Sequence, residues 1–178
     1  MTRKKRLLIF LIFIGIFLAA YSIGAETPVS DEEAMAFLEE FNKAIEGIDA
    51  IGIFLHNTTI ALPMFIPGFG AAWGAYAAWS TGVAFSALVK TTPALSQFPP
   101  LALLLISPFG LMELVAYSIG MSRSFLLIQT IIKKIPIKQE IRPTVIEIGI
   151  ALTLLIAGGF LEFAMIQQFG SDLELPQS

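Results

Sequence analysis

From Ala50 to Ile132 the chain carries only three formal charges, Lys90, Glu113 and Arg123. A stretch so long and so poor in charge has too little polar surface to cover a water-facing core. Charged residues make up 14% of the 178-residue chain, against about 25% in an average soluble domain, and 56% of the residues are apolar. The mean hydropathy is +0.78. This is the composition of an integral membrane protein, solvated by lipid over much of its length.

The remaining charges are gathered into blocks. Arg3, Lys4, Lys5 and Arg6 open the chain, eight acids against the single Lys43 fill Glu26 to Asp49, and a second basic cluster holds Lys133, Lys134, Lys138 and Arg142. Between the blocks lie apolar runs near the length of about 20 residues that crosses about 30 Å of hydrocarbon. They are Leu7 to Gly24, Ile51 to Phe65, Gly70 to Val89, a run within Pro99 to Ile132, and Val145 to Phe169. The second is short, closed by Pro63 and the Pro67-Gly68 turn. The fourth is too long for one straight crossing and is interrupted at Pro108-Phe109-Gly110, where proline removes a backbone donor and glycine permits unusual backbone.

The expected fold is therefore all-α: a polytopic membrane bundle of about five transmembrane helices, with a broken fourth span and one amphipathic extracytoplasmic helix. Four regions follow: a first transmembrane helix with a basic start (1–25), an acidic outer helix (26–49), the transmembrane core (50–169) and a short acidic tail (170–178). Five crossings put both basic clusters in the cytoplasm with the N-terminus and leave the C-terminus outside, as the bias of basic residues to the cytoplasmic face requires. Four crossings would put the clusters on opposite faces. The first span has a second reading as a secretory signal peptide, since a basic start, an apolar run and Ile23-Gly24-Ala25 fit one, but the apolar run is long for that and retention is expected.

Within the acidic region, Ser30 and Glu33 have capping-box spacing, in which each side chain satisfies a backbone donor of the first helical turn. Leu38, Phe41, Ile45 and Ile48 then recur at three and four residues, the stripe of an amphipathic helix. It is either a linker into the second span or a partner-binding helix. Its acidity excludes anionic lipid heads and nucleic acid as partners.

Ionisable groups at membrane depth cost several kcal/mol unless paired, neutralised or hydrated. Arg123 and Glu147 read as interfacial anchors near the cytoplasmic ends of their spans. His56 and Asn57 fall about 10 Å below the outer surface at 1.5 Å per residue. Glu162 lies at a similar depth, and Glu113 is expected in the first turn of a helix begun by Pro108 and Gly110, where the helix dipole favours a carboxylate. These four polar groups from three spans are expected to meet in the outer half of the membrane. A static hydrogen-bonded cluster, an ion or proton site and a partner contact all fit them. Gly70-x-x-x-Gly74 and Gly158-Gly159 mark close helix packing, within the chain or in a homodimer.

Catalysis finds little footing. Without cysteine there is no thiolate metal site and no cysteine nucleophile, and a single histidine excludes the usual zinc motifs. No His-Glu-x-x-His, intramembrane aspartate pair or Gly-x-Ser-x-Gly elbow occurs. A non-enzymatic protein without metal or cofactor is expected, whose partners are the bilayer, copies of itself or other membrane proteins.

Phe54-Leu55-His56-Asn57, the glycine-rich turn and third span from Pro67 to Gly82, Pro108-Phe109-Gly110 with Glu113, and Gly158-Gly159-Phe160-Leu161-Glu162 together resemble the stage II sporulation protein M family. The resemblance covers about Ile51 to Met165. It implies a small multi-spanning protein that acts as a membrane scaffold or assembly factor, since the sporulation representative anchors a peptidoglycan-degrading complex. It also implies that Asn57, Pro108, Gly110, Glu113 and Glu162 are matching polar and turn positions. This chain departs at Phe109, where the family usually has histidine, which removes an imidazole that a metal site or proton relay would use. Its short acidic extramembrane parts are too small for a wall hydrolase.

Overall fold

A computed structural model describes residues 3–169, and the expected acidic tail lies outside the described residues. Among the described residues 87% are helical and no strand occurs. Seven helices follow in order: α1 (Arg3–Ala25), α2 (Asp31–Ile45), α3 (Ala50–Ala61), α4 (Phe69–Thr91), α5 (Pro100–Ile106), α6 (Pro108–Ile132) and α7 (Lys138–Phe169). A 3₁₀ turn at Leu62–Phe65 extends α3, and another at Pro93–Gln97 precedes α5.

Three helices, α1, α6 and α7, are long and apolar enough to cross a membrane. Leu7, Leu8, Leu11 and Ile12 of α1 and Val145, Ile146, Ile150 and Phe160 of α7 stand exposed on their outer faces. An apolar surface that continuous belongs to a membrane protein. Helix α4 has the length but is diluted by glycine, serine, threonine, tryptophan and tyrosine.

Helix α6 is the centre of the bundle, buried almost continuously from Ala116 to Ser124. Against it α1 turns a stripe repeating every four residues, Ile9, Phe13, Phe17 and Tyr21. Phe13 meets Phe125 at 5.6 Å between ring centroids and Phe17 meets Tyr117 at 5.9 Å, so α6 retreats as α1 advances and the two run antiparallel. Helices α1 and α4 touch backbone to backbone: a Cβ on Gly24 would land on the Trp79 carbonyl, and one on Gly82 on the Tyr21 carbonyl.

The glycines singled out from the sequence are absorbed inside the chain. Gly70 lies against the backbone of Met64 and Gly74 against the Met121 side chain, so Gly70-x-x-x-Gly74 is buried and offers no homodimer face. Gly159 lets α7 approach α3, where a Cβ would come 3.0 Å from the Ala50 carbonyl oxygen. Gly158 makes only ordinary contact with Met112 and Phe109 of α6.

The fourth apolar run breaks one residue earlier than expected. Ser107 is extended, caps α6 by accepting from the Gly110 amide at 3.2 Å, and Pro108 fills the first helical position, where a missing N–H is harmless. Gly110 is thus helical, and its role is clearance: a Cβ there would strike the Ser107 hydroxyl and the Leu104 carbonyl. Helix α7 starts at Lys138 rather than Val145 and runs through Pro143, which lies inside it and forgoes one backbone hydrogen bond.

Helix α2 forms both halves of the capping box: Ser30 Oγ accepts from the Glu33 amide at 3.2 Å, and Glu33 Oε2 accepts from the Ser30 amide at 2.9 Å. It packs against α4 through Ala34, which is buried, and through half-buried Phe37 and Leu38. Lys90 at the end of α4 fastens its start, pairing with Asp31 at 2.7 Å and donating to the Val29 carbonyl at 2.6 Å.

Candidate functional site

Asn57, Glu113, Glu162 and His56 line one cavity of about 640 Å³. Short α3 delivers Asn57 to the interior, where it is 7% exposed and its Nδ2 donates to Glu113 Oε1 at 2.7 Å. Glu113 stands in the second turn of α6, not the first, so the helix dipole contributes less to it than the sequence implied. Glu162 comes from α7 and faces the same cavity as Glu113 and Tyr117. His56 is exposed toward the mouth, and its carbonyl accepts from Thr59 Oγ1.

Helix α2 contributes Phe37, Glu40 and Phe41 to the same cavity, and α4 contributes Trp73, Tyr76 and Ser80. One end is closed where Trp73 Nε1 donates to the Ile60 carbonyl at 2.9 Å, tying α4 to α3. From Phe69 through Trp73 and Tyr76 to Trp79 the aromatic rings of α4 follow one another at 5.8–6.0 Å. Tyr117 also lines the cavity, one turn beyond Glu113, and sequence reasoning missed it. The four-residue spacing from a membrane carboxylate was the available signal.

A second polar centre lies at the opposite end of the bundle and corrects the reading of Arg123 and Glu147 as interfacial anchors. Arg123 is 2% exposed. Its Nε and Nη2 donate to the two oxygens of Glu147 at 2.7 and 2.6 Å, and its Nη1 to Glu140 at 2.7 Å. Arg6 of α1 grips the same Glu147 with two bonds of 2.8 Å and reaches Ser122 Oγ at 2.9 Å. Two guanidinium groups thus face two carboxylates from α1, α6 and α7, a balanced network that a low-dielectric interior tolerates.

The two centres are opposites in charge. Every carboxylate at the Arg6 end has an arginine, whereas no lysine or arginine lines the cavity with Glu40, Glu113 and Glu162. Among the described residues no three acidic or histidine side chains converge at the spacing of a metal site.

No protein-family model matches this chain, and no curated protein or solved structure is significantly similar to it.

Proposed function

We propose that the chain is a non-enzymatic integral membrane protein of the stage II sporulation protein M type, acting as a scaffold or assembly factor in the cell membrane. It crosses five times, with its N-terminus in the cytoplasm and its C-terminus outside. Helix α3 with its 3₁₀ extension is about 26 Å long and α4 about 34 Å at standard rises, enough for two more crossings beside α1, α6 and α7. Helix α5, about 10 Å, is a re-entrant piece before α6.

The observation that carries the scaffold reading is the bond between Asn57 and Glu113, which fastens a helix of marginal length to the central one. Exposed Phe69, Tyr76 and Trp79 on α4 give such a scaffold a surface for copies of itself or other membrane proteins. Asn57→Leu removes the bond and is expected to cost about 1–3 kcal/mol of stability. Thermal unfolding in detergent measures that, while proteoliposomes holding the unmutated protein should pass no protons or alkali cations.

The cavity favours a second reading, a channel or transporter that uses Glu113 and Glu162. It predicts flux abolished by Glu113→Gln and Glu162→Gln with melting temperature nearly unchanged. Flux that depends on either residue would refute the scaffold reading.

A further inference from the structure

We propose that the cavity between α2, α3, α4, α6 and α7 binds a lipophilic organic cation, an ammonium or phosphonium centre carried on an apolar body. This rests on the second reading only in sharing its site, because it requires occupancy and not movement.

Three independent features fix that chemistry. The volume of about 640 Å³ lies within the usual range of small-molecule sites, roughly 300–1,000 Å³. The carboxylates of Glu113 and Glu162 line the cavity with no lysine or arginine beside them. The arginine-matched network around Glu147 shows that elsewhere the same chain answers buried carboxylates with internal cations. At the cavity a bound cation would supply the same counter-charge. Finally the walls are mostly apolar and carry Phe17, Phe41, Trp73, Tyr76 and Tyr117, whose ring faces attract a weakly hydrated organic cation. Among the described residues a divalent metal finds no converging set of ligands.

Exposed lining residues mark the mouth: Glu40 and Phe41 of α2, His56 of α3, and Tyr76 and Ser80 of α4. An amphipathic cation dissolved in the outer leaflet can enter there head first, with Glu40 at the rim and Glu113 and Glu162 deeper. Neutral amphiphiles leave the carboxylates uncompensated, and anions are repelled.

Tetraphenylphosphonium and tetraphenylborate, alike in size and opposite in charge, test this with the full chain in neutral maltoside micelles. Saturable one-to-one binding of the phosphonium is expected, with none of the borate. The Glu113→Gln/Glu162→Gln double variant should weaken the phosphonium at least tenfold. Should that variant not fold, Thr81→Lys places a cation at an exposed lining position and should weaken binding at least fivefold with the melting temperature retained. Equal binding of both probes, no saturable binding, or unchanged affinity in folded variants would overturn the proposal. Flux measurements are separate: phosphonium binding without transport sinks the transporter reading and leaves this site standing.

Discussion

Arg123 illustrates how far a single residue can depart from what its position in the sequence implies. Nine residues from the end of α6, it is placed where a long side chain ordinarily reaches lipid headgroups. It turns inward instead because Glu140 and Glu147 of α7 supply the partners that headgroups would otherwise provide, and Arg6 of α1 balances the second carboxylate charge. Breaking a buried pair from one side strands the other charge, so Arg123→Leu should destabilise the protein by about 3 kcal/mol or more. Adding Glu147→Leu should recover part of that loss, and a double-mutant cycle on unfolding in mixed micelles measures the coupling. A cost below about 1 kcal/mol would put the network in the class of surface pairs. The carboxylates at the other end were legible for the same physical reason that Arg123 was not. Glu113, Glu162 and Asn57 interrupt apolar runs, and polar groups in apolar surroundings are expected to seek one another, whereas Arg123 had two cheap solutions and sequence does not reveal that Arg6 arrives on the facing side of α1.

At the scale of elements, helix existence was readable and helix faces and ends were not. The apolar runs located α1, α3, α4, α6 and α7, yet the break before α6 depends on a local competition: Ser107 caps and Pro108 starts, leaving Gly110 inside the helix. Similarly, α2 presents Ala34, Phe37 and Leu38 to α4 because Lys90 and the capping box fix where its first turn docks, a constraint invisible to the periodicity of Leu38 and Phe41. That docking is sensitive to pH. The hydrogen bond and charge of Lys90 hold the Asp31 carboxyl below its ordinary value, and the hydroxyl and backbone of Ser30 do the same for Glu33. Carboxyls depressed in the folded state contribute stability that is complete above their ordinary values and is lost as pH falls through the depressed ones. Protection of the α2 amides, measured against the exchange rate of an unstructured chain at the same pH, should therefore hold steady down to about pH 4 and fall below it. Ser30→Ala should speed exchange at neutral pH by removing a cap of about 1 kcal/mol. Exchange in α2 that ignores both changes would show the helix held by its apolar face alone.

For the whole molecule, the distribution of basic residues decides less than it first implies. Five crossings put Arg3 to Arg6 and Lys133 to Arg142 on one side, but so would three, made by α1, α6 and α7 alone with α2 to α5 left outside. The two arrangements differ only at the turn between α3 and α4, which carries no charge. Packing ties that turn to α6: the Gly68 amide donates to the Ser124 carbonyl at 3.4 Å, and Ser124 Oγ donates to the Ile66 carbonyl at 2.6 Å. Ser124 adjoins Arg123 in the arginine network, so the turn reaches the basic end of the bundle, while Tyr21 and Pro100 meet at the other end through a bond of 3.2 Å. A chain without cysteine makes this testable with single cysteines and a membrane-impermeant maleimide. Glu32→Cys and Gln97→Cys should label from outside intact cells, and Lys4→Cys and Lys138→Cys only in inverted vesicles, under either arrangement. Exposed Pro67→Cys is decisive. Labelling confined to inverted vesicles means that α3 and α4 cross as a hairpin, whereas labelling from outside leaves three crossings and puts Asn57 in a domain lying on the membrane rather than through it.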